Sequence, residues 1–432
     1  MQTQSKIRIF FLFDIYYNTF CMEIKAEKIV FGGDCIGKIN GKTVFVSGML
    51  PGEKAEIKIL QSKKDYDKAI ATKIIESSPH RVNPKCPFYG KCGGCNLQIA
   101  ESQYQITLRK EIFTDCFRRS LKDDFSKIPE IQIVSSKDFG YRNRFQFVMG
   151  GLQEKSQNKT VKIDFCPIAV EKVNYLLKNN LIPTTKDRLF VFDDKTSLDT
   201  ETYSVNVLDC KITFDVRGFF QSNISMLEKT IPLLIKDFEN LPKNSRLLDM
   251  YAGVGTLSCF AQKFFQEIYL VEHNKKALAF AKENLENNDF SENHKNKKIL
   301  TFSQSGEKFV STKWAKDFFD VLIIDPPRSG IEKPVLSWIV DKKIPIIRYL
   351  SCDPVTHSRD AKILLEAGYK CKKLYLLDFY PQTSHIESLS YFEYLGEKWE
   401  NLQIFISDLP FFPYWYLDFS LFFHFPKPQV KV

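Results

Sequence analysis

The pattern of apolar and polar positions changes character twice along the chain. Residues 22 to about 77 contain short runs such as KTVFVSGML and KAEIKILQSK, separated by Gly, Asn and Pro turns, which is typical of a small antiparallel β-barrel. The stretch LQIAESQYQITLRKEIFTDCFRRSL has apolar positions spaced by about 3.6 residues and predicts a helix over about 97–121. From about 131 to 216 the runs alternate again and predict further strands.

After residue 224, apolar runs of strand length alternate with helical stretches. The runs SRLLDMYA, EIYLVEH, FDVLIIDPP and PIIRYLSCD are separated by stretches such as KKALAFAKENLENN. This alternation predicts an α/β fold with a Rossmann-like, doubly wound parallel sheet, whose ligands bind beyond the carboxyl ends of the strands. We therefore expect three parts: a small N-terminal β-barrel, a central β-rich region and a C-terminal α/β domain.

Composition and charge narrow the class of protein. The length of 432 residues and the hydrophobic content of 44% allow two or three globular domains. Lys and Arg total 61 against 52 Asp and Glu, a net charge of +9 that favours an anionic partner, although an ordinary basic enzyme surface explains it equally well. The 11 cysteines, without a secretion signal, indicate reduced thiols in the cytoplasm. Prolines interrupt the aromatic C-terminal segment too often for a membrane span.

The first two strands of the α/β region carry candidate ligand-binding residues. Asp249 ends one strand and is followed by Gly253 and Gly255, which let the backbone approach a ligand at a helix start. Glu272 ends the next strand, where a carboxylate can accept both ribose hydroxyls of an adenosine. The segment GVGTLS lacks the third glycine of the dinucleotide fingerprint, so the pattern favours S-adenosylmethionine over NAD. A plain tight turn is the alternative.

The later strands end in reactive groups. Asp325, in DPPRSG, stands where a carboxylate can accept a hydrogen bond from an imide N–H, and a solvated turn residue is the alternative. Cys352 ends the following strand, and a thiolate is a strong nucleophile when its surroundings lower its pKa. A buried structural cysteine is the commoner case, but four such strand ends at one edge favour a reacting group. Glu387, in DFYPQTSHIES, is a candidate general base, or else a solvated strand-edge residue.

Four cysteines form a candidate metal site. Cys86, Cys92 and Cys95 lie together in CPFYGKCGGC, and Cys166 follows at a distance in FCPI. Zinc sites usually offer two close pairs of ligands, and a CxxC pair alone is also consistent with redox chemistry. Three clustered cysteines plus a remote one favour a four-thiolate iron–sulfur cluster.

Several motifs, taken in order, resemble one known family. They are CPFYGKCGGCNLQ, FCPI, GFFQSN, LLDMYAGVGTLS, DPPRSG, SCDPVTHSRD and DFYPQTSHIES. Together they resemble the RNA 5-methyluridine methyltransferases, specifically the ribosomal-RNA branch that carries an N-terminal TRAM barrel and an iron–sulfur cluster. The resemblance covers about residues 22–397, and Thr256 and Leu257 depart from the family's frequent Asn-Phe.

The resemblance implies a role for each matching position. It implies Cys352 as nucleophile, Glu387 as proton acceptor and Asp325 as a further active-site carboxylate. The S-adenosylmethionine contacts that it implies are Gln221, Tyr251, Glu272 and Asp325, to which the loop pattern adds Gly253 and Gly255. The 4Fe–4S ligands that it implies are Cys86, Cys92, Cys95 and Cys166. The implied domains are a TRAM barrel over 22–80, a central iron–sulfur region over 81–220 and a methyltransferase domain over 221–397, with extensions over 1–21 and 398–432. We expect a cytoplasmic monomer that binds RNA and no membrane.

Two other classes remain open at this point. A cytosine carbon 5 methyltransferase also uses a cysteine, but it needs a proton donor to ring nitrogen 3, and Asp325 with the single Cys352 favours uracil. A non-catalytic iron–sulfur RNA-binding protein is the second, and Cys352 and Glu387 together argue against it. Within the family, transfer RNA is the alternative to 23S ribosomal RNA as the substrate.

Overall fold

The computed structural model describes residues 22–155, 159–289 and 297–395, so both predicted extensions, 1–21 and 398–432, lie outside the described residues. The α-helices of these ranges are α1 (Ser102–Leu121), α2 (Glu171–Lys178), α3 (Ile224–Leu234), α4 (Thr256–Ala261), α5 (Lys275–Asn287), α6 (Gly306–Val310), α7 (Lys333–Lys342) and α8 (Pro354–Glu366). None of them is long and apolar enough to cross a membrane.

The strands fall into an N-terminal, a central and a C-terminal group. The N-terminal group comprises β1 (Met22–Lys25), β2 (Lys28–Ile29), β3 (Cys35–Ile39), β4 (Lys42–Ser47), β5 (Lys54–Ser62) and β6 (Tyr66–Glu76). The central group comprises β7 (Ile131–Val134), β8 (Arg144–Phe147), β9 (Leu152–Gln153), β10 (Thr160–Val161), β11 (Leu189–Phe192), β12 (Lys195–Thr196), β13 (Thr202–Val207) and β14 (Cys210–Asp215). The C-terminal group comprises β15 (Arg246–Met250), β16 (Glu267–Glu272), β17 (Lys298–Ser303), β18 (Val321–Ile324), β19 (Ile346–Ser351), β20 (Tyr369–Leu377) and β21 (Glu387–Tyr394).

The N-terminal strands form one six-stranded sheet in the order β1-β5-β6-β4-β3-β2. Alternate residues face its core, as Val44 and Val46 do in β4. The prediction of antiparallel pairing is correct for four of the pairs and wrong for β4 and β6, which run parallel. The reason is that β5 intervenes in sequence and pairs with the other edge of β6.

Helix α1 joins the N-terminal sheet to the C-terminal domain. It begins at Ser102 rather than at about 97, because the backbone N–H groups of residues 96 and 97 donate to the Gln382 carbonyl. Its buried face packs along α8. One hydrophobic core therefore contains Val44 of the N-terminal sheet, Leu108 of α1 and Leu364 of α8.

The central region consists of small sheets and one short helix. β12, β11 and β8 form a three-stranded sheet, and β9–β10 and β13–β14 form hairpins. Phe147, Val173 and Leu189 lie in a separate small core between this sheet and α2. β7 pairs instead in parallel with β20, at the edge of the large C-terminal sheet. The large sheet therefore contains strands from both sides of the predicted domain boundary between residues 220 and 221, since β7 precedes that boundary and the other strands follow it.

The C-terminal domain is built on an eight-stranded sheet in the order β17-β16-β15-β18-β19-β21-β20-β7. β17, β16, β15, β18 and β19 are parallel, and β21 inserts antiparallel between β19 and β20. Side chains on both faces are buried, since Leu247 and Leu248 belong to different hydrophobic cores. The doubly wound sheet predicted from the sequence is thus present, with an antiparallel strand near one edge.

Candidate active site

Four strand ends of the parallel sheet meet at one edge, as the sequence predicts. Asp249 lies in β15, Glu272 is the last residue of β16, and Asp325 and Cys352 directly follow β18 and β19. These strands are paired in parallel with one another, so their carboxyl ends point the same way. Glu387 joins them from the opposite direction, because it is the first residue of antiparallel β21.

Cys352 lies in a tight turn between β19 and α8. The Ser351 hydroxyl closes this turn through two hydrogen bonds to the Asp353 backbone, at 3.1 and 3.3 Å. Asp353 caps α8 by accepting from two backbone N–H groups, at 2.9 and 3.0 Å. Burial raises the pKa of the Cys352 thiol to about 12, and the carboxyls of Glu387 and Asp325 add to this shift, which Arg328 opposes. Cys352 is only half-buried and keeps access to solvent.

The two carboxyls beside Cys352 also hold their protons strongly. Burial raises the pKa of Glu387 well above its usual range, Asp325 raises it further, and Arg328 opposes both. Only 6% of Glu387 is exposed. Asp325 keeps some accessible surface, yet protein surrounds it closely enough for burial to raise its pKa to about 7. The site thus combines a thiol and two protonatable carboxyls with the Arg328 guanidinium.

A cavity of about 280 Å³ opens onto Cys352. Arg328 and His385 line it from the C-terminal domain, and Phe31 and Gly32 line it from the turn between β2 and β3. Phe31 is an exposed aromatic side chain at this position. The N-terminal sheet therefore supplies part of the wall next to the candidate nucleophile.

Helix α1 holds the segment that leads into Glu387. The buried Arg109 guanidinium bonds Asp378 Oδ1 at 2.8 Å and the Thr383 carbonyl at 3.0 Å. Gln105 exchanges two hydrogen bonds with Gln382, at 2.9 and 3.0 Å. Because a buried charge needs its partner, the Arg109–Asp378 pair fixes where this segment docks.

Asn96 connects the same segment to the N-terminal sheet. Its amide donates to the Gly32 carbonyl and to Ser384 Oγ, both at 2.9 Å, and its oxygen accepts from Ser384 N at 2.8 Å. A Cβ at Gly33 would lie only 2.3 Å from Asn96 Nδ2 and 2.8 Å from Ser384 Oγ, so this approach requires glycine. Three distant parts of the chain therefore meet at the cavity.

The glycine loop after β15 is held by Glu272. Glu272 Oε2 accepts from Gly253 N at 3.1 Å and Oε1 accepts from Asn274 N at 2.7 Å. A Cβ at Gly253 would meet nothing within 4 Å, whereas one at Gly255 would lie 2.9 Å from the Ala281 Cβ of α5. Gly253 thus borders open space, and Gly255 permits close packing of a helix.

The remaining predicted cofactor contacts have unsatisfied or strained groups. Gln221 Oε1 is buried without a hydrogen-bond partner among the described residues. Tyr251 adopts a φ of 64°, which a bulky residue adopts only where its surroundings impose it. Gln304 Nε2, just after β17, was not predicted as a contact, and it too is buried without a partner in the described ranges. Buried polar atoms without a hydrogen-bond partner cost free energy unless a ligand bonds them.

The four candidate metal ligands line a second cavity, of about 380 Å³. Cys86, Cys92, Cys95 and Cys166 are all free thiols. Burial raises the pKa of Cys95 to about 11 and that of Cys166 to about 12, and neighbouring thiols add to both shifts. Within the described ranges, no three His, Cys, Asp or Glu side chains are placed to hold a single metal ion.

Polar groups hold the cysteine-bearing loops in place. Asn174 Oδ1 accepts from Cys166 N at 2.8 Å, and its amide returns a bond to the Cys166 carbonyl at 3.0 Å. Gln98 Oε1 accepts from Cys86 N at 3.1 Å. Gln98 Nε2 has no hydrogen bond of ordinary geometry within the described residues, but the amide lies close enough to the Cys95 sulfur to counteract part of the rise in its pKa. An unsatisfied amide beside the thiols suits a ligand with anionic sulfur atoms.

Sequence reasoning missed several residues that shape the site. Asn96, Gln105 and Arg109 lie on or before α1, and each has a partner more than 250 residues away, so no local pattern relates them. Arg109 did leave one signal, since it is a charged residue next to Leu108 on the apolar face of α1. His357, described below, is buried completely although its flanking residues in THSRD are polar.

Comparisons with known proteins relate the chain to one family of enzymes. Residues 177–394 match the family described as tRNA (uracil-5-)-methyltransferase, and residues 21–72 match the TRAM domain. An uncharacterized RNA methyltransferase of Treponema denticola is 42% identical, over 85% of this chain and 98% of the relative. The 23S rRNA (uracil(1939)-C(5))-methyltransferase RlmD of Photobacterium profundum is 28% identical, over 86% of this chain and 93% of the relative.

One solved structure shares the fold over most of the chain. It is the tRNA (uracil-54, C5)-methyltransferase of Pyrococcus abyssi in complex with S-adenosyl-L-homocysteine, with a TM-score of 0.62 and 22% identity. The match covers 85% of this chain and 99% of that one. The family match and the Treponema relative, which is similar over nearly its whole length, show that this chain belongs to the RNA uracil-C5 methyltransferase family and is an RNA-methylating enzyme.

Proposed function

We propose that this protein transfers a methyl group from S-adenosylmethionine to carbon 5 of a uridine in 23S rRNA, through a covalent bond between Cys352 and uracil. The observation that carries the proposal is that Cys352 lines a cavity of about 280 Å³ and lies close enough to Asp325 and Glu387 for both carboxyls to raise the pKa of its thiol. A non-catalytic RNA-binding protein would have no need for a thiol and two protonatable carboxyls at one edge of its sheet.

Cys352 activates the ring in this proposal. Carbon 5 of uracil is a poor nucleophile until a group adds to carbon 6. The Cys352 thiol loses its proton to solvent, its sulfur bonds carbon 6, and the electron pair of the carbon 5–carbon 6 double bond moves into an enolate. Asp325 accepts a hydrogen bond from the ring N3–H, which uracil has and cytosine lacks, so the carboxylate form of Asp325 favours uracil.

Glu387 completes the reaction. S-adenosylmethionine, when bound, supplies an electrophilic methyl group to carbon 5, and Gln221, Tyr251, Gly253 and Glu272 are the residues that would hold it. Glu387, as a carboxylate, takes the proton from carbon 5; the electron pair restores the double bond and expels the Cys352 sulfur. Since burial favours the protonated form of Glu387, Arg328 has the role of lowering its pKa before this step.

The RNA must present a single base to this site. A uridine stacked in folded RNA cannot reach a half-buried cysteine, so the target base is flipped out of its stack. The net charge of +9 suits phosphate contacts, and the exposed Phe31 at the cavity wall can stack on a base.

Ribosomal RNA is the favoured substrate, with transfer RNA second. Several relatives that match over 85–87% of this chain are named as 23S rRNA methyltransferases. The family description and the Pyrococcus abyssi structure refer to tRNA, which is why tRNA stands second. The test is nucleoside analysis of 23S rRNA and tRNA from cells that lack the protein. Loss of 5-methyluridine from 23S rRNA alone supports the proposal, and loss from tRNA alone contradicts the choice of substrate.

We also propose that Cys86, Cys92, Cys95 and Cys166 hold a 4Fe–4S cluster. Four free thiols lining one cavity are the donor set of such a cluster. A cluster is favoured over zinc because three clustered cysteines and one remote cysteine lack the two close ligand pairs that zinc sites usually offer. The cluster would tie the loop of residues 86–95 to the remote Cys166.

Anaerobic purification tests the cluster directly. The protein should be brown and contain about four irons per chain, as a four-thiolate cubane requires. Cys166→Ser should lose the iron, whereas Cys116→Ser, at a cysteine outside the cavity, should keep it. Zinc without iron in the wild-type protein would contradict the proposal.

A further inference from the structure

A buried histidine connects two segments of the active site. His357 lies in the first half of α8, five residues after Cys352, and is completely buried. Its Nδ1 lies 2.7 Å from Ser388 Oγ and its Nε2 lies 2.8 Å from Ser390 Oγ. Both serines are in β21, where residues two apart share a face, so the ring spans that face of the strand.

Ser388 in turn bridges the two strands that carry the reacting groups. It stands opposite Ser351 in the antiparallel pair of β19 and β21, and its hydroxyl donates to the Ser351 carbonyl at 3.3 Å. Ser388 directly follows Glu387, and Ser351 directly precedes Cys352. The chain of contacts from His357 therefore ends next to both residues that react.

The contacts of Ser388 favour one tautomer of His357. A serine hydroxyl has one hydrogen, so when Ser388 donates it to the Ser351 carbonyl, Ser388 Oγ accepts from His357 Nδ1–H. Nε2 is then unprotonated in the neutral ring and accepts from Ser390 Oγ–H. Burial lowers the pKa of His357 to about 3, so the ring stays neutral at any physiological pH.

Aromatic side chains shield this network from water. The rings of Phe117 and Tyr349 lie 5.3 and 4.5 Å from the His357 ring, measured between centroids, and Phe113 lies at 6.2 Å. Leucine would satisfy packing against aromatic rings without placing polar atoms there. The polar ring is useful because both serine hydroxyls are buried and need partners.

We infer that His357 is a positioning residue for proton abstraction: by holding the Ser388 hydroxyl it fixes the Glu387 carboxyl relative to Cys352. The inference rests on the proposed function, since it concerns the step in which Glu387 removes the carbon 5 proton. His357 touches neither Glu387 nor Cys352 in this network and acts only through Ser388 and the strand backbone. Misplacing a reacting group by about 1 Å can slow a reaction about 100-fold.

Three substitutions separate positioning from packing. His357→Asn keeps an N–H donor near the place of Nδ1 and can still hold Ser388, but it loses Ser390. His357→Gln reaches the place of Nε2 and loses the donor to Ser388. His357→Leu loses both. Leu365→Ala, two turns further along α8 and outside the network, is the control for loss of buried packing.

The experiment uses an unmodified 23S rRNA transcript and a radiolabelled methyl donor, with products resolved on a denaturing gel. We expect His357→Leu and His357→Gln to release methylated RNA about 10–100-fold more slowly and to accumulate the methylated protein–RNA complex, with KM for RNA within about twofold of wild type. His357→Asn should release product at close to the wild-type rate. Leu365→Ala should lower the melting temperature without accumulating the complex.

The outcomes distinguish the inference from the function on which it rests. If all three His357 variants lose activity only in proportion to their melting temperatures, as Leu365→Ala does, and no complex accumulates, the positioning role is wrong. If the wild-type protein itself forms no methyluridine on 23S rRNA or tRNA transcripts and no adduct at Cys352, the proposed function is wrong and the inference falls with it.

Discussion

Cys352 lies where its surroundings keep the proton on its sulfur. Burial and the carboxyls of Glu387 and Asp325 raise its pKa to about 12, well above the usual thiol value of about 8.5. A thiolate standing ready in the ligand-free enzyme would be exposed to oxidation and alkylation. In the proposed mechanism the protonated thiol is protected in this way until substrate RNA binds, and Cys352 becomes reactive only in the complex.

Alkylation of the ligand-free protein by iodoacetamide should show this protection. Because only the thiolate reacts, the rate at Cys352 should rise about tenfold per pH unit from pH 7 to 10 without a plateau. Glu387→Gln should react faster at high pH, because it removes a negative charge that raises the pKa of Cys352. Peptide mass mapping gives the rate at each cysteine, and Glu366→Gln, at the end of α8, is the control. A plateau near pH 8.5 in the wild type would contradict this account.

The two glycines of the loop after β15 should fail in different ways. Gly255→Ala places a Cβ 2.9 Å from Ala281 at a φ of 75°, and it should destabilise the fold by about 2–5 kcal/mol. Gly253→Ala meets open space at a φ of 55°, and it should cost only about 1–2 kcal/mol. Gly253→Ala should instead weaken S-adenosylhomocysteine binding, by about tenfold. Thermal unfolding measures the loss of stability, and titration calorimetry measures the loss of binding. If Gly253→Ala were the more destabilised variant and bound S-adenosylhomocysteine normally, the proposed cofactor site would be wrong.

Some site residues could be predicted from the sequence and others could not. Asp325 and Cys352 follow apolar runs of strand length, so the local pattern alone places them at one edge of a parallel sheet. Arg109 bonds Asp378 across 269 residues, and His357 bonds Ser388 across 31. Such contacts depend on how whole helices and strands pack together, and the local spacing of apolar residues does not contain that information.

At the scale of elements, the segment of residues 378–386 is the piece that brings Glu387 to the site. α1 holds it through Arg109 and Gln105, and Asn96 ties it to the turn of the N-terminal sheet. The sequence predicted α1 as a helix, but not that residues 96 and 97 would bond Gln382 instead of extending it. Elements that seem separate in sequence thus determine the position of one carboxylate.

Asn96→Ala tests this connection. It removes the bonds to Gly32 and Ser384, so the cavity wall and the segment before Glu387 should become less well ordered. We expect turnover to fall about tenfold, while the free energy of unfolding falls by only about 1–3 kcal/mol. Asn179→Ala, the control, removes one exposed amide bond, to the Tyr175 carbonyl at the end of α2, and should leave turnover unchanged. Equal turnover in the two variants would show that the connection has no catalytic role.

At the scale of the whole molecule, the N-terminal sheet and the methyltransferase sheet share a hydrophobic core. Val44, Leu108 and Leu364 belong to one cluster although they come from three regions of the sequence. The alternating runs predicted strands in this region, but not that the sheet shares its core with the C-terminal domain. Removing residues 22–77 would expose this shared core, so point variants at the cavity wall are the sharper probe of RNA binding. β7 likewise crosses the predicted domain boundary to join the large sheet.

In the proposed mechanism, Cys352 and Glu387 act at different steps of the reaction. The family membership gives the reaction, but it does not assign these steps in this chain. Cys352 is half-buried and lines the cavity. Glu387 is almost completely buried, and this burial raises the pKa of its carboxyl. If each has the proposed role, removing one must stop the reaction before methyl transfer and removing the other must stop it afterwards.

The most direct measurement is a denaturing gel of each variant with unmodified RNA transcript and labelled methyl donor, followed by peptide mapping of any cross-link. Cys352→Ala should give neither methylated RNA nor a covalent complex. Glu387→Gln should add to the ring and methylate it, but should be unable to eliminate, so a denaturant-resistant complex that carries the label should accumulate at Cys352. Full activity in Cys352→Ala, or a cross-link at any other cysteine, would contradict the account.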